Sequence, residues 1–294
     1  MTPIPFRKPS HLASPSSAAS AAASTRRVVV WLGGGDAQRS AIELATRISL
    51  ASGAQLTGLS AFDPEPEAQA IPAGGTYWAR WLADQRRARR REAASAALRD
   101  FDEVTRGHPI EITSRHDETG FDGLAAVVAG CDLLVVPAGA GLSGTGQPPS
   151  DELAATLAAR SAVPVLRVRQ HPPAVRNVVL VVSGTDGCAR LARRFLHAGL
   201  WTEAPVTLLP VGGDRQRVQA ALDEQVELVR AHGRKATVMP AIDPDAGADV
   251  LDREVRRFDA AAMSCLSHRS GWLGMVRTCP FEVVSDRMPV TLLP

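Results

Sequence analysis

Short runs of β-branched and aliphatic residues alternate along the chain with longer stretches rich in Ala, Leu and Arg. The first run, residues 26–32 (RRVVVWL), precedes a Gly-rich turn and the stretch 37–51, in which apolar residues recur at helical spacing. Ala41, Leu44 and Ile48 would share one face of that helix. This alternation of buried strands with amphipathic helices is typical of parallel βα units.

The same order of elements occurs twice, and each round predicts five strands and four helices. In the first round we predict strands at 26–32, 55–61, 110–114, 133–136 and 164–168, with helices at 37–51, 77–105, 121–129 and 151–160. In the second round we predict strands at 177–182, 205–211, 236–239, 260–265 and 289–293, with helices at 188–198, 215–232, 248–256 and 281–286. Right-handed crossovers place the helices on both faces of each sheet. The sequence therefore predicts an α/β protein of two doubly wound domains, each with a five-stranded parallel sheet.

Composition divides the chain into a leader and two domains. Residues 1–25 contain no Asp or Glu and are rich in Ala, Ser and Pro, so they cannot bury enough apolar surface to offset the entropy of ordering. We expect a disordered leader there, and an organelle transit peptide is the alternative. Domain 1 is predicted at 26–170 and a shorter domain 2 at 175–294, joined by a linker at 171–173 (HPP).

Charge and cysteine content narrow the function classes. Lys and Arg number 33 against 31 Asp and Glu, which gives a net charge of +2 and excludes a strongly electrostatic binder. The small net charge predicts no nucleic-acid partner. No apolar run approaches the ~20 residues that cross a bilayer, so we also predict no membrane partner. The 4 cysteines lie far apart without a C-x-x-C spacing, which favours a reducing, cytoplasmic location. Cys131 and Cys265 are expected to pack as small hydrophobes, with a redox role as the alternative.

Several segments carry a family resemblance. In the first round they are GAQLTGL (53–59), CDLLVVPAGAG (131–141) and SAVPVLRV (161–168), and in the second NVVLVVSGTDG (177–187) and APVTLLPV (204–211). Through them the chain resembles a tandem universal stress protein, with two copies of the family's single domain. The resemblance implies an intramolecular pair of domains that is similar to a homodimer of single domains, with further homodimerisation as an alternative. It also implies a non-enzymatic protein of the stress response or of regulation, with a regulatory protein as a partner.

Nucleotide-binding members of that family have an acidic residue at the end of the first strand and phosphate-binding glycines before the last helix. Here Gly33 and Ser183 stand at the acidic positions of the two domains, so both carboxylates are lost. The phosphate-binding Gly-Ser position falls on residues 151–152 (DE), whose carboxylates would repel a phosphate. In domain 2 the matching loop, 266–269 (LSHR), has lost both glycines. The resemblance therefore implies degenerate nucleotide sites.

The glycines that remain keep a nucleotide-binding alternative open. A site for ATP or AMP in domain 1 would use the first βα turn and the loop after the fourth strand, because glycines let backbone N–H groups approach a phosphate. Its candidate residues are Gly33, Gly34, Gly139, Gly141, Gly144 and Ser150. A slow ATPase would also need Mg²⁺ ligands and a positioned water, and the sequence indicates neither a catalytic residue nor metal-ligand spacing.

The Gly33-Gly34-Gly35 turn also has a purely structural interpretation. It lacks the Gly-Lys-Ser/Thr ending of a phosphate-binding P-loop, and Asp36 follows it directly. We predict that Asp36 caps the following helix, and that Asp186 does so at the same offset in domain 2.

Two other groups of residues have more than one interpretation. Trp78 and Trp81 are expected to be core or interface anchors, with dimer or partner binding as the alternative. The arginines between 86 and 91 are expected to form a solvated face, and the alternative is an acidic partner or a nucleic acid. The segment 116–118 (HDE) is expected to be a solvated loop rather than a catalytic group.

Overall fold

The fold is described from a computed structural model of the full chain. The structure describes residues 25–61, 77–117, 127–140, 153–154, 157–158, 163–169, 174–212, 214–243, 248–263 and 288–293. The predicted leader, apart from Thr25, and the predicted helix at 281–286 lie outside the described residues, as do most of the helices predicted at 121–129 and 151–160.

Ten strands, five helices and short helical segments at 127–128, 153–154 and 157–158 occur in the described part of the chain. The strands are β1 Arg27–Trp31, β2 Gln55–Ala61, β3 Ile112–Asp117, β4 Leu133–Pro137, β5 Val165–Val168, β6 Val178–Val182, β7 Val206–Pro210, β8 Ala236–Val238, β9 Ala260–Ala262 and β10 Val290–Leu293. The helices are α1 Gln38–Ser52, α2 Tyr77–Thr105, α3 Asp186–His197, α4 Arg215–Ala231 and α5 Ala248–Val255. No helix among the described residues is long and apolar enough to cross a bilayer.

All ten strands form one sheet in the order β3-β2-β1-β4-β5-β10-β9-β6-β7-β8. Within each half the neighbouring strands are parallel, and the order of the first half is repeated in the second. The halves join through β5 and β10, which pair antiparallel with Val165 opposite Leu293. The α/β class and the parallel sheets are therefore confirmed, but the two sheets predicted separately are continuous, because each closing strand would otherwise leave an unpaired edge.

The third strand begins later than predicted. The sequence places it at 110–114, whereas β3 is Ile112–Asp117. Ile110 is held in a turn by a hydrogen bond from its N–H to the carbonyl of His108 (2.9 Å). The segment 116–118, predicted as a solvated loop, is therefore partly in the strand, and Asp117 is buried and forms an ion pair with Arg115 (3.0 Å).

Two apolar layers cover the two faces of the sheet. On one face, α1 to α4 pack against alternate strand residues, with Ile42, Phe101 and Leu191 fully buried. On the other face, Leu251 and Val255 of α5 join a second buried cluster. Helices on both faces are what a doubly wound sheet requires, because each parallel crossover must return over one face.

A side-chain contact recurs at the same place in both halves. Asp132, directly before β4, accepts hydrogen bonds at Oδ2 from the backbone N–H groups of Arg26 (2.8 Å) and Arg27 (2.9 Å). Asp259, directly before β9, accepts at Oδ2 from Arg176 (2.8 Å) and from the following residue, Asn177 (3.2 Å). Each carboxylate thus fastens the start of the first strand of its half to the start of the fourth.

We expect Asp132→Ala and Asp259→Ala each to lower the free energy of unfolding by about 1 to 2 kcal/mol, because each removes two hydrogen bonds to a charged acceptor at a partly solvated site. Urea titration of the full chain measures the loss. Asp→Asn variants keep one acceptor oxygen and should lose less, while Asp223→Ala on the exposed side of α4 is a control near zero. A loss below about 0.5 kcal/mol for either Ala variant would contradict the shared role.

Candidate functional site

The sheet has one topological switch point in each half. In the first half the strand order reverses between β1 and β4, and in the second it reverses between β6 and β9. In open α/β sheets, ligands bind in the crevice outside the carboxyl ends of the strands at this point. The two crevices are therefore the first places to look for a site.

Two glycine-containing loops meet at the first switch point. The turn Gly33 to Gly35 follows β1, and Gly139 lies just after β4. A Cβ atom built on Gly35 would lie 3.8 Å from the carbonyl oxygen of Gly139 and 3.9 Å from that of Ala138. The structure thus brings the candidate residues of the turn close to Gly139. Gly141, Gly144 and Ser150 lie outside the described residues.

The prediction that Asp36 caps α1 is wrong. The N-cap position is Ala37, which has helical dihedral angles and provides no side-chain cap. Instead the buried side chain of Gln38 reaches back, and its Oε1 accepts a hydrogen bond from the N–H of Gly34 (2.8 Å). One of the backbone donors that could hold a phosphate is therefore already used by the protein.

At the second switch point, side chains of the loop after β6 hydrogen-bond to one another. The Ser183 hydroxyl, which follows β6, lies 3.0 Å from Thr185 Oγ1 and 2.8 Å from Cys188 Sγ. Gly184 is covered by α4, because a Cβ atom there would lie 3.2 Å from both Cγ and the carbonyl oxygen of Arg217. The loop at 266–269 lies outside the described residues.

Thr185, and not Asp186, caps α3. The Thr185 hydroxyl accepts a hydrogen bond from the N–H of Cys188 (3.4 Å), and Asp186 is the first residue of the helix. A carboxylate in the first turn still stabilises the helix through the partial positive charge of its N-terminus. The matching offset of Asp36 and Asp186 therefore does not reflect a shared cap.

The described residues around the two crevices offer few groups for catalysis or metal binding. No cluster of three or more His, Cys, Asp or Glu side chains suited to a metal ion occurs among the described residues. Cys131 packs in the apolar layer beside β4, as predicted, and burial with the nearby Asp132 carboxylate raises the pKa of its thiol to about 12. A neutral, buried thiol is a poor nucleophile and a poor redox sensor. Cys265 lies outside the described residues.

The strand order and the paired switch points define an open, doubly wound α/β protein with an internal structural repeat. Residues 24–169 match the model of the universal stress protein family. A comparison with curated protein sequences gave no significant match.

Solved structures share the fold over nearly the whole chain. A universal stress protein from Archaeoglobus fulgidus DSM 4304 has a TM-score of 0.63 and 13% identity, covering 91% of this chain and 97% of its own. A functionally unknown protein from Pseudomonas aeruginosa PAO1 has a TM-score of 0.52 and 16% identity, covering 94% of each chain. At these identities the likeness shows a common fold, and it includes the half of the chain that the family model does not match.

Proposed function

We propose that this chain is a non-enzymatic, cytoplasmic universal stress protein that acts in stress response or regulation, with two universal stress domains in tandem and degenerate nucleotide sites. The observation that carries the proposal is that the acidic position at the end of the first strand has no carboxylate in either half: Gly33 and Ser183 stand there instead. Because the chain lacks these nucleotide-binding residues but retains the paired domains, we infer that it acts through protein contacts. We expect a regulatory protein as its partner.

Two features of the crevices support degenerate sites. At the first, Gln38 occupies the N–H of Gly34. At the second, the Ser183 hydroxyl is used within its own loop and Arg217 lies over Gly184. A nucleotide would have to displace these contacts without an acidic group to bind its ribose, which lowers its affinity.

Two features support the tandem arrangement of 26–170 and 175–294. The strand order of the first half is repeated in the second, and the carboxylates of Asp132 and Asp259 make the same pair of backbone contacts. Unrelated halves can have the same strand order, but they rarely have the same side-chain contact at the same position. The match therefore favours duplication of one domain.

A specific observation also favours the alternative of an ATP- or AMP-binding switch. The Gly33 to Gly35 turn and the Gly139 loop lie against each other at the first switch point, and Gly139 has a left-handed backbone (φ 71°). Adjacent glycine loops of this kind can turn backbone N–H groups toward a phosphate. The alternative therefore belongs to domain 1.

Thermal unfolding separates the two functions. We expect the melting curves of the full chain to coincide with and without millimolar ATP or AMP plus Mg²⁺, with no nucleotide detected by mass spectrometry of the purified protein. A switch would instead gain about 2.7 kcal/mol when the ligand is present at about 100 times its Kd. Release of inorganic phosphate from ATP would overturn the non-enzymatic proposal.

A matched pair of variants assigns any thermal shift to the glycine loops. A Cβ atom at Gly139 meets nothing within 4 Å, and Asn and Asp both tolerate the left-handed region, so Gly139→Asn and Gly139→Asp carry similar backbone cost. Only the Asp variant adds a negative charge. If the switch is correct, Gly139→Asp abolishes the nucleotide shift and Gly139→Asn retains much of it.

A further inference from the structure

The N-terminal part of α2 is less buried than its C-terminal part. Helix α2 packs on α1, β2 and β3, but its first buried residue is Ala97, followed by Phe101 and Thr105. None of residues 77–96 whose burial is described is buried. More than half of this 29-residue helix therefore has only half-buried or exposed side chains where burial is described.

Three aromatic residues occupy the free end of this helix. Tyr77 is 85% exposed, Trp78 is 63% exposed and Trp81 is 41% exposed. The rings of Trp78 and Trp81 stack on each other, with centroids 4.9 Å apart. We refer to these three residues as the aromatic tip. Large aromatic side chains clustered in water mark an interaction surface, because their exposure forfeits the free energy of burial.

Positive charge is concentrated directly after the aromatic tip. Residues 77–91 contain six arginines and a single acidic residue, Asp84, although the net charge of the whole chain is only +2. At 100° per residue the aromatic side chains fall within an arc of about 100°, and the arginines fall in the remaining arc of about 200°. The core contacts of α2, from Ala97 and Phe101, lie on the side of the half-buried Arg87 and Arg90, and the other four arginines are exposed. The aromatic tip therefore faces away from the sheet.

We propose that the aromatic tip and its neighbouring arginines dock this protein on the surface of a bilayer that contains anionic lipids. Trp and Tyr favour the depth of the lipid headgroups, where an apolar ring and a polar edge are both accommodated. Arginines beside the rings are attracted to anionic headgroups, and a basic helix with Trp on another face is typical of an interfacial element. The contact lies on the surface and does not span the bilayer.

Two other occupants fit these observations less well. A second copy of the chain would bring two arginine clusters together, and like charges oppose that contact. Single-stranded nucleic acid stacks on open aromatic faces, whereas Trp78 and Trp81 cover one face of each other.

The sequence-based expectation of no membrane partner rested on whole-chain charge and on spanning segments, and neither bears on a surface contact. The proposal is independent of the nucleotide sites.

Vesicle binding by the full chain tests this docking. We expect the protein to sediment with vesicles of phosphatidylcholine containing about 30% phosphatidylserine, and not with vesicles of phosphatidylcholine alone. Raising the salt from about 0.05 M to about 0.5 M should weaken binding, because screening shortens the reach of the charges. Tryptophan emission should move to shorter wavelength as the aromatic tip leaves water.

Two variants and one control separate the parts of the surface. Trp78→Ala with Trp81→Ala should weaken binding about tenfold or more, since it removes most of the apolar contact. Arg86→Gln with Arg89→Gln should weaken it about 30-fold at low salt, from about 1 kcal/mol for each arginine near an anionic surface. Arg193→Gln with Arg230→Gln removes the same charge from α3 and α4 and should leave binding unchanged.

Several outcomes would overturn the docking proposal. Equal binding to neutral and anionic vesicles, or anionic binding that the tryptophan variant retains, would remove the role of this surface. Binding of an oligothymidylate in preference to vesicles would assign the surface to nucleic acid. Self-association that the tryptophan variant abolishes, with no vesicle binding, would assign it to a second copy. Circular dichroism confirms that each variant is folded, which is expected because all four substituted side chains are exposed.

Discussion

The Phe101→Ala variant is expected to lose about 3 to 5 kcal/mol of its free energy of unfolding, the range measured when large aromatic side chains are removed from a core. Phe101 is fully buried and is the largest core contact made by α2. Its removal leaves a cavity against β2 and frees a helix that has few other anchors. Urea titration of the full chain measures the loss, and a value below about 2 kcal/mol would contradict this anchoring role.

Gly58 is the partner that allows this contact. A Cβ atom on Gly58 would lie 2.8 Å from Cδ1 and Cγ of the Phe101 ring, closer than real contacts allow. Gly58→Ala should therefore cost about 1 to 3 kcal/mol by overpacking. Combining it with Phe101→Leu, which leaves room for the added methyl, should cost less than the two single losses added together. Strict additivity would show that the close approach does not limit packing.

The same contact shows how far local sequence patterns predict the fold. The bounds of α2, Tyr77–Thr105, and of β2, Gln55–Ala61, are those expected from the periodicity of apolar residues. Burial along α2 is not uniform, however, and periodicity alone does not show that the tryptophans lie in water. They were expected to be core or interface anchors, and their exposure excludes the core.

The continuous sheet could not be predicted from the pattern of strands. The segments that became β5 and β10 each read as the closing strand of their own sheet, and nothing within either indicates an antiparallel partner. Their pairing joins residues more than 120 positions apart, such as Val168 and Val290. It depends on the way the two halves face each other, which is a property of tertiary packing.

For the candidate site, the sequence shows which residue types stand at the strand ends, but it does not show which hydrogen bonds their loops form. The missing carboxylates at Gly33 and Ser183 follow from the strand ends alone. Which polar side chain binds a backbone N–H depends on loop geometry, so Thr185 caps α3 in place of Asp186, and α1 has no side-chain cap at all. The repeated contact of Asp132 was also missed, although an acidic residue just before the fourth strand of each half was a usable signal.

Arg234 is a structural residue that no sequence pattern indicated. It follows α4, is only 8% exposed, and donates hydrogen bonds to the carbonyl oxygens of Leu200 (3.2 Å), Trp201 (2.7 Å) and Ala204 (2.8 Å). Its guanidinium also lies 4.8 Å from the centre of the Phe195 ring. These contacts fix a loop in which Trp201 has a positive φ of 50°, a conformation that costs a bulky residue free energy. The corresponding turn of the first half, after α1, is shorter and has no such arginine contact among its described hydrogen bonds.

We expect Arg234→Met to lower the free energy of unfolding by about 3 kcal/mol, because Met retains the apolar stem but leaves three carbonyls without their charged donor. Arg234→Lys should lose an intermediate amount, since an ammonium cannot reproduce the planar fork. Burial lowers the pKa of the Arg234 guanidinium, yet an arginine stays protonated near neutrality, so the loss should be the same at about pH 6 and about pH 9. Arg230→Met on the exposed side of α4 is the matched control and should change stability by less than about 0.5 kcal/mol. A loss for Arg234→Met as small as that of the control would mean that the strained loop holds itself in place and that the three hydrogen bonds are incidental to it.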